Sequence, residues 1–209
     1  MANNYNGIAR FYDVISRIVY QNAIVKAQVF LIQFIKANDK VLIVGGGTGW
    51  ILEEISKLNQ LNISIVYVEK SSAMIALAKS KKYKNIKVDF IEKGIEEYIS
   101  ALQFDIIITP FLFDNFLKNK IDFVFQKLNT LINLKGIWLY ADFVNDRTNK
   151  KLWQRFLLKT MYLFFRVTAN IETQELINMQ PYFEKDYALL SQQYFYKGFI
   201  QAIAFKKIV

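Results

Sequence analysis

The chain has 209 residues, is 53% hydrophobic, carries a formal net charge of +9, and contains neither cysteine nor histidine. Thiol nucleophiles, Ser-His-Asp triads and zinc sites built from imidazole or thiolate are therefore excluded, and any acid or base must be Asp, Glu, Tyr or Lys. The length predicts a single domain that buries about 70% of the surface its unfolded chain exposes, and the longest apolar runs fall well short of the ~18 residues of a membrane span.

The opening Met1-Ala2-Asn3-Asn4-Tyr5-Asn6 has neither the basic nor the apolar region of a signal peptide. With no disulfide to form, a cytoplasmic location is expected. Ile8, Phe11, Tyr12, Ile15, Ile18 and Val19 then recur at helical spacing, and a second apolar helix is predicted from Asn22 to Lys36. Next comes Val41-Leu42-Ile43-Val44, running straight into Gly45, Gly46, Gly47, Thr48 and Gly49. That order predicts a buried parallel strand, a tight turn and a helix N-terminus whose free N–H groups attract polar or anionic ligand groups. The glycine spacing is G-x-G-x-G, and Trp50 stands where a dinucleotide fingerprint would place its third glycine, so a pyrophosphate has a poor cradle.

Ile51, Leu52, Ile55 and Leu58 give the following helix its buried stripe, and Ile63 to Val68 predicts the second strand. It ends at Glu69, twenty residues beyond Gly49, where a carboxylate can accept both hydroxyls of a ribose at the carboxyl edge of the sheet. Lys79, Lys81, Lys82, Lys84 and Lys87 fall where the second sheet helix ends, a place that favours cations and predicts a solvated face. Strand three is predicted at Ile86 to Ile91, followed by the turn Lys93-Gly94-Ile95.

Strand four, Phe104 to Ile108, leads to Thr109-Pro110-Phe111, with Asp114 and Asn115 beyond. Residues at the carboxyl end of a central strand point into the ligand crevice, which makes Thr109, Phe111 and Asp114 site candidates. A helix through Ile121, Val124, Phe125, Leu128, Leu131 and Ile132 is expected to stop before Gly136 as its C-terminal cap. Strand five, Ile137 to Tyr140, leads to Ala141-Asp142-Phe143, and residues 149–166 read as one helix with a broad apolar face beside a basic line of Lys151, Arg155 and Lys159. Leu189 to Tyr196, the turn Lys197-Gly198 and Phe199 to Ile208 predict a hairpin, whose last strand is apolar enough to be inserted between neighbours.

The turn Gly45 to Gly49 resembles motif I of the class I S-adenosylmethionine-dependent methyltransferases, and Glu69-Lys70-Ser71-Ser72-Ala73-Met74 resembles the E/D-x-S-x-x-M pattern of the same class. The resemblance implies an α/β fold, a doubly wound, mostly parallel seven-stranded Rossmann-like sheet with a C-terminal antiparallel hairpin. It implies S-adenosyl-L-methionine as cofactor, held by Gly45, Gly46, Gly47, Thr48 and Gly49 on its methionine and ribose side and by Glu69 on the ribose, with Lys70 and Met74 beside it. Gly94 and Ile95 would meet the adenine, Thr109 and Phe111 would line the crevice, and Phe11-Tyr12-Asp13 resembles the start of an N-terminal lid, with Tyr12 closing over the cofactor. Two positions depart from the pattern: Gly94 stands where the family commonly has an aspartate for the adenine amino group, and Ile43 stands where an acid often precedes the first glycine.

The organisation expected is one domain, 1–209, with a helical lid at 1–38, a cofactor-binding core at 39–145, a helical cap at 146–185 and the hairpin at 186–209. The activity expected is methyl transfer to a small-molecule acceptor. Asp114 and Asp142, at the carboxyl ends of strands four and five, are the candidate bases, and either can instead orient the acceptor or cap a helix. Arg155 and Arg166 in the cap would bind the negative group of a hydrophobic acceptor, or the basic helix would lie on an anionic membrane. No metal site is expected, no nucleic-acid motif is present, and the missing Asn/Asp-Pro-Pro-aromatic signature leaves nothing to mark a base or a protein amide as acceptor. A non-catalytic regulator that binds S-adenosylmethionine or a nucleotide, and an NAD(P)-dependent reductase, are the alternatives.

Overall fold

A computed structural model describes residues 22–144 and 177–208. The described chain runs α1 (Ala23–Ile32), β1 (Lys40–Val44), α2 (Trp50–Lys57), β2 (Ile63–Glu69), α3 (Ser72–Lys79), β3 (Ile86–Glu92), β4 (Phe104–Pro110), a 3-10 turn (Phe113–Asn115), α4 (Lys118–Leu131), β5 (Ile132–Phe143), α5 (Gln180–Phe183), β6 (Tyr187–Phe195) and β7 (Ile200–Lys207). One sheet of seven strands results, in the order β3-β2-β1-β4-β5-β7-β6. The first five of these are parallel, and β7 lies antiparallel between β5 and β6. This is the doubly wound sheet with a terminal hairpin expected from the sequence.

Strand alternation sorts the core into two layers. Val41 and Ile43 of β1, Ile106 and Ile108 of β4, and Leu139 and Ala141 of β5 join α1, α2 and α3 on one face. Leu42, Val44, Ile107, Trp138 and Tyr140 face the other way, onto α4 and α5. Each fully buried Ile, Leu or Phe contributes roughly 1.5–3 kcal/mol, so the two layers are what hold the sheet's carboxyl edge in place. Trp138 anchors the second layer: its ring stacks on Phe125 at 5.0 Å and meets Phe183 edge-on at 5.1 Å.

Three expectations change. The helix expected to reach Ile132 and cap at Gly136 ends at Leu131, and β5 begins at once. Ile132 already pairs with Phe104, after which four residues of β5 bulge against β4 before Ile137 pairs with Ile106. Lys135 turns the bulge with φ 66°, and Gly136 is required by close approach, since a Cβ there would sit 2.9 Å from the carbonyl oxygen of Asn133. Secondly, α1 covers 23–32 and not 22–36, and its Ala27, Leu31 and Ile32 are buried in the first layer. The described part of the expected lid is therefore a core helix. Lastly, β6 starts two residues before Leu189, and Tyr196, Lys197 and Gly198 all take positive φ in the hairpin turn. The helices expected at 8–19 and 149–166 lie outside the described residues.

The chain winds outward from β1 to β2 and β3, then returns to β4 on the other side of β1. That reversal opens a crevice at the carboxyl ends of β1 and β4, the place where doubly wound sheets bind ligands.

Candidate active site

Gly45, Gly47 and Gly49 take φ of 71°, 63° and 78°, values that any residue with a Cβ would adopt under strain. The four glycines divide their work. Gly45 and Gly47 line a cavity at the crevice. Gly46 instead makes room for a neighbour, because a Cβ there would lie 2.4 Å from the Tyr67 ring, whose hydroxyl donates to the Gly47 carbonyl at 2.9 Å. Gly49 lets α2 rest on α3, where a Cβ would lie 2.5 Å from that of Ala78. Thr48 is buried beside them and does not line the cavity.

Glu69 sits at the tip of β2 with only 9% of its surface exposed. Its Oε2 accepts the Gly47 N–H at 3.1 Å and its Oε1 accepts the Ser71 N–H at 2.9 Å. Burial raises its pKa, and the amides of Ser71, Gly47 and Lys70 only partly offset that. A buried carboxylate held by amides from both loops keeps lone pairs aimed at the cavity, where hydroxyl donors can reach them.

The cavity measures about 520 Å³, within the usual range for a small-molecule site. Lys70, Met74, Gly94, Ile95 and Phe111 line it as expected. Phe111 closes its β4 side with φ 52°, its N–H donating to the Ala141 carbonyl at 2.7 Å. Thr109 does not take part: it is fully buried, and its Oγ1 accepts the indole N–H of Trp138 at 2.9 Å. It shares the face of Ile107, and that face packs on α4.

Asp114 and Asp142 form a carboxyl pair next to the cavity without lining it. Asp142 is 3% exposed, and its carboxylate accepts the Phe143 N–H at 2.8 Å, the N–H groups of Asp114 and Phe113 at the start of the 3-10 turn, and the Tyr140 hydroxyl. Burial nevertheless pushes it up to about 7. Asp114 is raised well above the usual carboxylate range, first by burial and then by Asp142. Asn115, which lines the cavity, connects the two places: its Nδ2 donates to Asp114 Oδ1 at 2.6 Å and to the Phe111 carbonyl at 2.8 Å.

Sequence reasoning missed the opposite rim. Glu96, Asn115, Phe116 and Lys120 all line the cavity, and Lys120 Nζ lies 2.6 Å from Glu96 Oε1 and 5.1 Å over the Phe116 ring. Glu96 follows Gly94 by two residues, and Lys120 belongs to the polar first turn of α4, which an apolar stripe beginning at Ile121 does not reveal. Tyr12, Arg155 and Arg166 lie outside the described residues. Among the described residues, no cluster of three or more acids could hold a metal ion and no helix is long and apolar enough to cross a membrane.

Residues 41–136 match the family model described as a methyltransferase domain. No curated protein sequence matches the chain. Among solved structures, the chain is similar to 1,6-didemethyltoxoflavin-N1-methyltransferase of Burkholderia thailandensis, solved with bound 1,6-didemethyltoxoflavin and S-adenosylhomocysteine, at 13% identity over 97% of this chain and 85% of that one, with a TM-score of 0.62. The N-methyltransferase NodS of Bradyrhizobium japonicum, in complex with S-adenosylhomocysteine, aligns at 8% identity over 90% and 86% of the two chains with a TM-score of 0.65. The cyclopropane synthase MmaA2 of Mycobacterium tuberculosis gives 11% identity, 87% and 82% coverage and a TM-score of 0.65. At these identities the three establish a common fold.

Proposed function

We propose that the chain is a class I S-adenosylmethionine-dependent methyltransferase, as the methyltransferase-domain match over residues 41–136 supports, and that it methylates a small-molecule acceptor held next to Asp114 and Asp142. The observation that carries the reading is Glu69, a buried carboxylate fixed between the glycine turn and the head of α3 at the wall of a 520 Å³ cavity. It suits the two hydroxyls of a ribose, and the left-handed Gly45 and Gly47 let the rest of the cofactor approach the backbone. When bound, S-adenosylmethionine supplies a methyl group on a sulfonium, with neutral sulfur as the leaving group.

What remains for the protein is alignment and, for an O–H or N–H acceptor, removal of one proton. Burial raises both carboxyls, Asp142 to about 7 and Asp114 well above the usual carboxylate range with the charge of Asp142 adding to it, so the pair titrates as a unit and can take up a proton. A base poised near pH 7 is well matched to that step. Asp114 is the more accessible of the two, and Asp142 is anchored by amides from the 3-10 turn. The pair would take up the acceptor's proton, while the bound cofactor would supply the methyl group.

A metabolite screen for methyl transfer from S-adenosylmethionine, followed by Asp114→Asn and Asp142→Asn on the acceptor found, tests this. Loss of turnover by about 10²-fold or more in one variant is expected. Wild-type turnover in both would remove the base assignment, and NADH binding with no S-adenosylhomocysteine binding would remove the reading altogether.

A further inference from the structure

Gly94 leaves the turn after β3 without a side chain, and that space is filled. A Cβ built on Gly94 would lie 2.7 Å from Glu96 Oε2 and 2.8 Å from its Cδ, so the Glu96 carboxylate folds back over the bare glycine. It is held there. Lys120 takes Oε1 at 2.6 Å, and Lys127 Nζ donates to the Glu96 carbonyl at 2.8 Å, fixing the turn to α4.

Only two acids line the cavity among the described residues, Glu69 and Glu96. Glu69 is committed to the glycine turn and the ribose. The wall beside Glu96 is apolar, made by Met74, Ile95 and Phe116, and such a wall suits a flat, weakly polar ring. A ring bound there would meet one acidic acceptor, Glu96. Burial works against that charge, but Lys120, the Glu96 amide and Lys70 together hold the carboxyl below its usual range. An ionised carboxylate accepts hydrogen bonds and cannot donate them, so it favours a ring edge carrying an amino group over one lacking it.

We propose that Glu96 recognises the exocyclic amino group of the cofactor's purine, its carboxylate occupying the space that glycine at position 94 leaves free. This rests on the cofactor reading above, and it assigns the base-recognition role to a residue outside the family's motif.

The test is calorimetric binding of S-adenosylhomocysteine and of its analogue whose purine lacks the 6-amino group. Measurements are made on the wild type, Glu96→Ala and Lys120→Met. Wild type should prefer the amino compound by about tenfold or more, as for a hydrogen bond to a charged acceptor. Glu96→Ala should bind the two alike, losing affinity only for the amino compound, whereas Lys120→Met, which cuts the tie to α4 and keeps the carboxylate, should retain a preference. A wild type with no preference, or a Glu96→Ala variant that keeps the full preference, overturns the assignment and leaves the cofactor reading standing. A wild type that binds neither compound overturns both.

Discussion

Asp142 gives the acid pair a signature in stability that needs no knowledge of the acceptor. In the folded chain burial carries its carboxyl from 3.8 to about 7, against the pull of the Phe143, Asp114 and Phe113 amides and the Tyr140 hydroxyl. In the unfolded chain it titrates near the ordinary value. Between those two pH values the folded chain holds a proton that the unfolded chain has released. Stability is therefore fully present below about pH 4 and declines as pH rises towards 7. A shift of this size corresponds to a loss on the order of 2–4 kcal/mol, shared with Asp114 because the two carboxyls titrate as a unit. Asp142→Asn keeps an acceptor oxygen for the Phe143 N–H, cannot ionise, and relieves Asp114 of the facing charge. Urea unfolding from pH 4 to 8 should therefore show a shallower decline in the variant, which gains on wild type as pH rises. Glu69 and Asp39 are also raised by burial and add the same background slope to both proteins. Parallel pH profiles, or a wild type that gains on the variant with rising pH, would refute the coupled, buried pair.

Glu69→Ala should weaken S-adenosylhomocysteine binding by roughly 1.5–3 kcal/mol in calorimetry, the range for hydrogen bonds to a charged group; unchanged affinity would remove the ribose assignment. Thr109→Val leaves the buried indole N–H of Trp138 without its acceptor, and a loss of about 1–3 kcal/mol in thermal or urea unfolding is expected with no change in cofactor affinity. Arg155→Gln and Arg166→Gln, made separately, should raise KM for an anionic acceptor while leaving S-adenosylhomocysteine affinity alone; kinetics indifferent to both would dispose of an acceptor-binding role for the 149–166 segment.

What the sequence revealed was local in origin. The β-branched runs at 41–44, 63–68 and 104–108 form strands because their own neighbours make them so, and the glycine turn is legible because positive φ is a property of single residues. What it concealed depended on partners far along the chain. Nothing around Gly46 or Gly49 separates them from Gly45 and Gly47, because the difference lies with Tyr67 and Ala78. Ile132 continues a helical apolar stripe, yet pairing with Phe104 makes it a strand residue. Thr109 stands at the right height in the sheet for a ligand contact and on the face that packs against α4, a distinction that only alternation counted from Ile107 would have exposed.

The insertion of β7 between β5 and β6 also constrains the order of assembly. β6 precedes β7 in the chain, yet its partner in the sheet is β7 alone, so β6 has no strand to pair with until the later segment has been made. During synthesis the parallel strands β1 to β5 can associate first, leaving the hydrogen-bonding groups of β5 as an open edge. That edge holds Asp142, whose register partner is Gln201. A nascent or truncated chain without β7 would present the β5 edge to any passing strand. Completion of the sheet by a pairing distant in sequence is built into the topology.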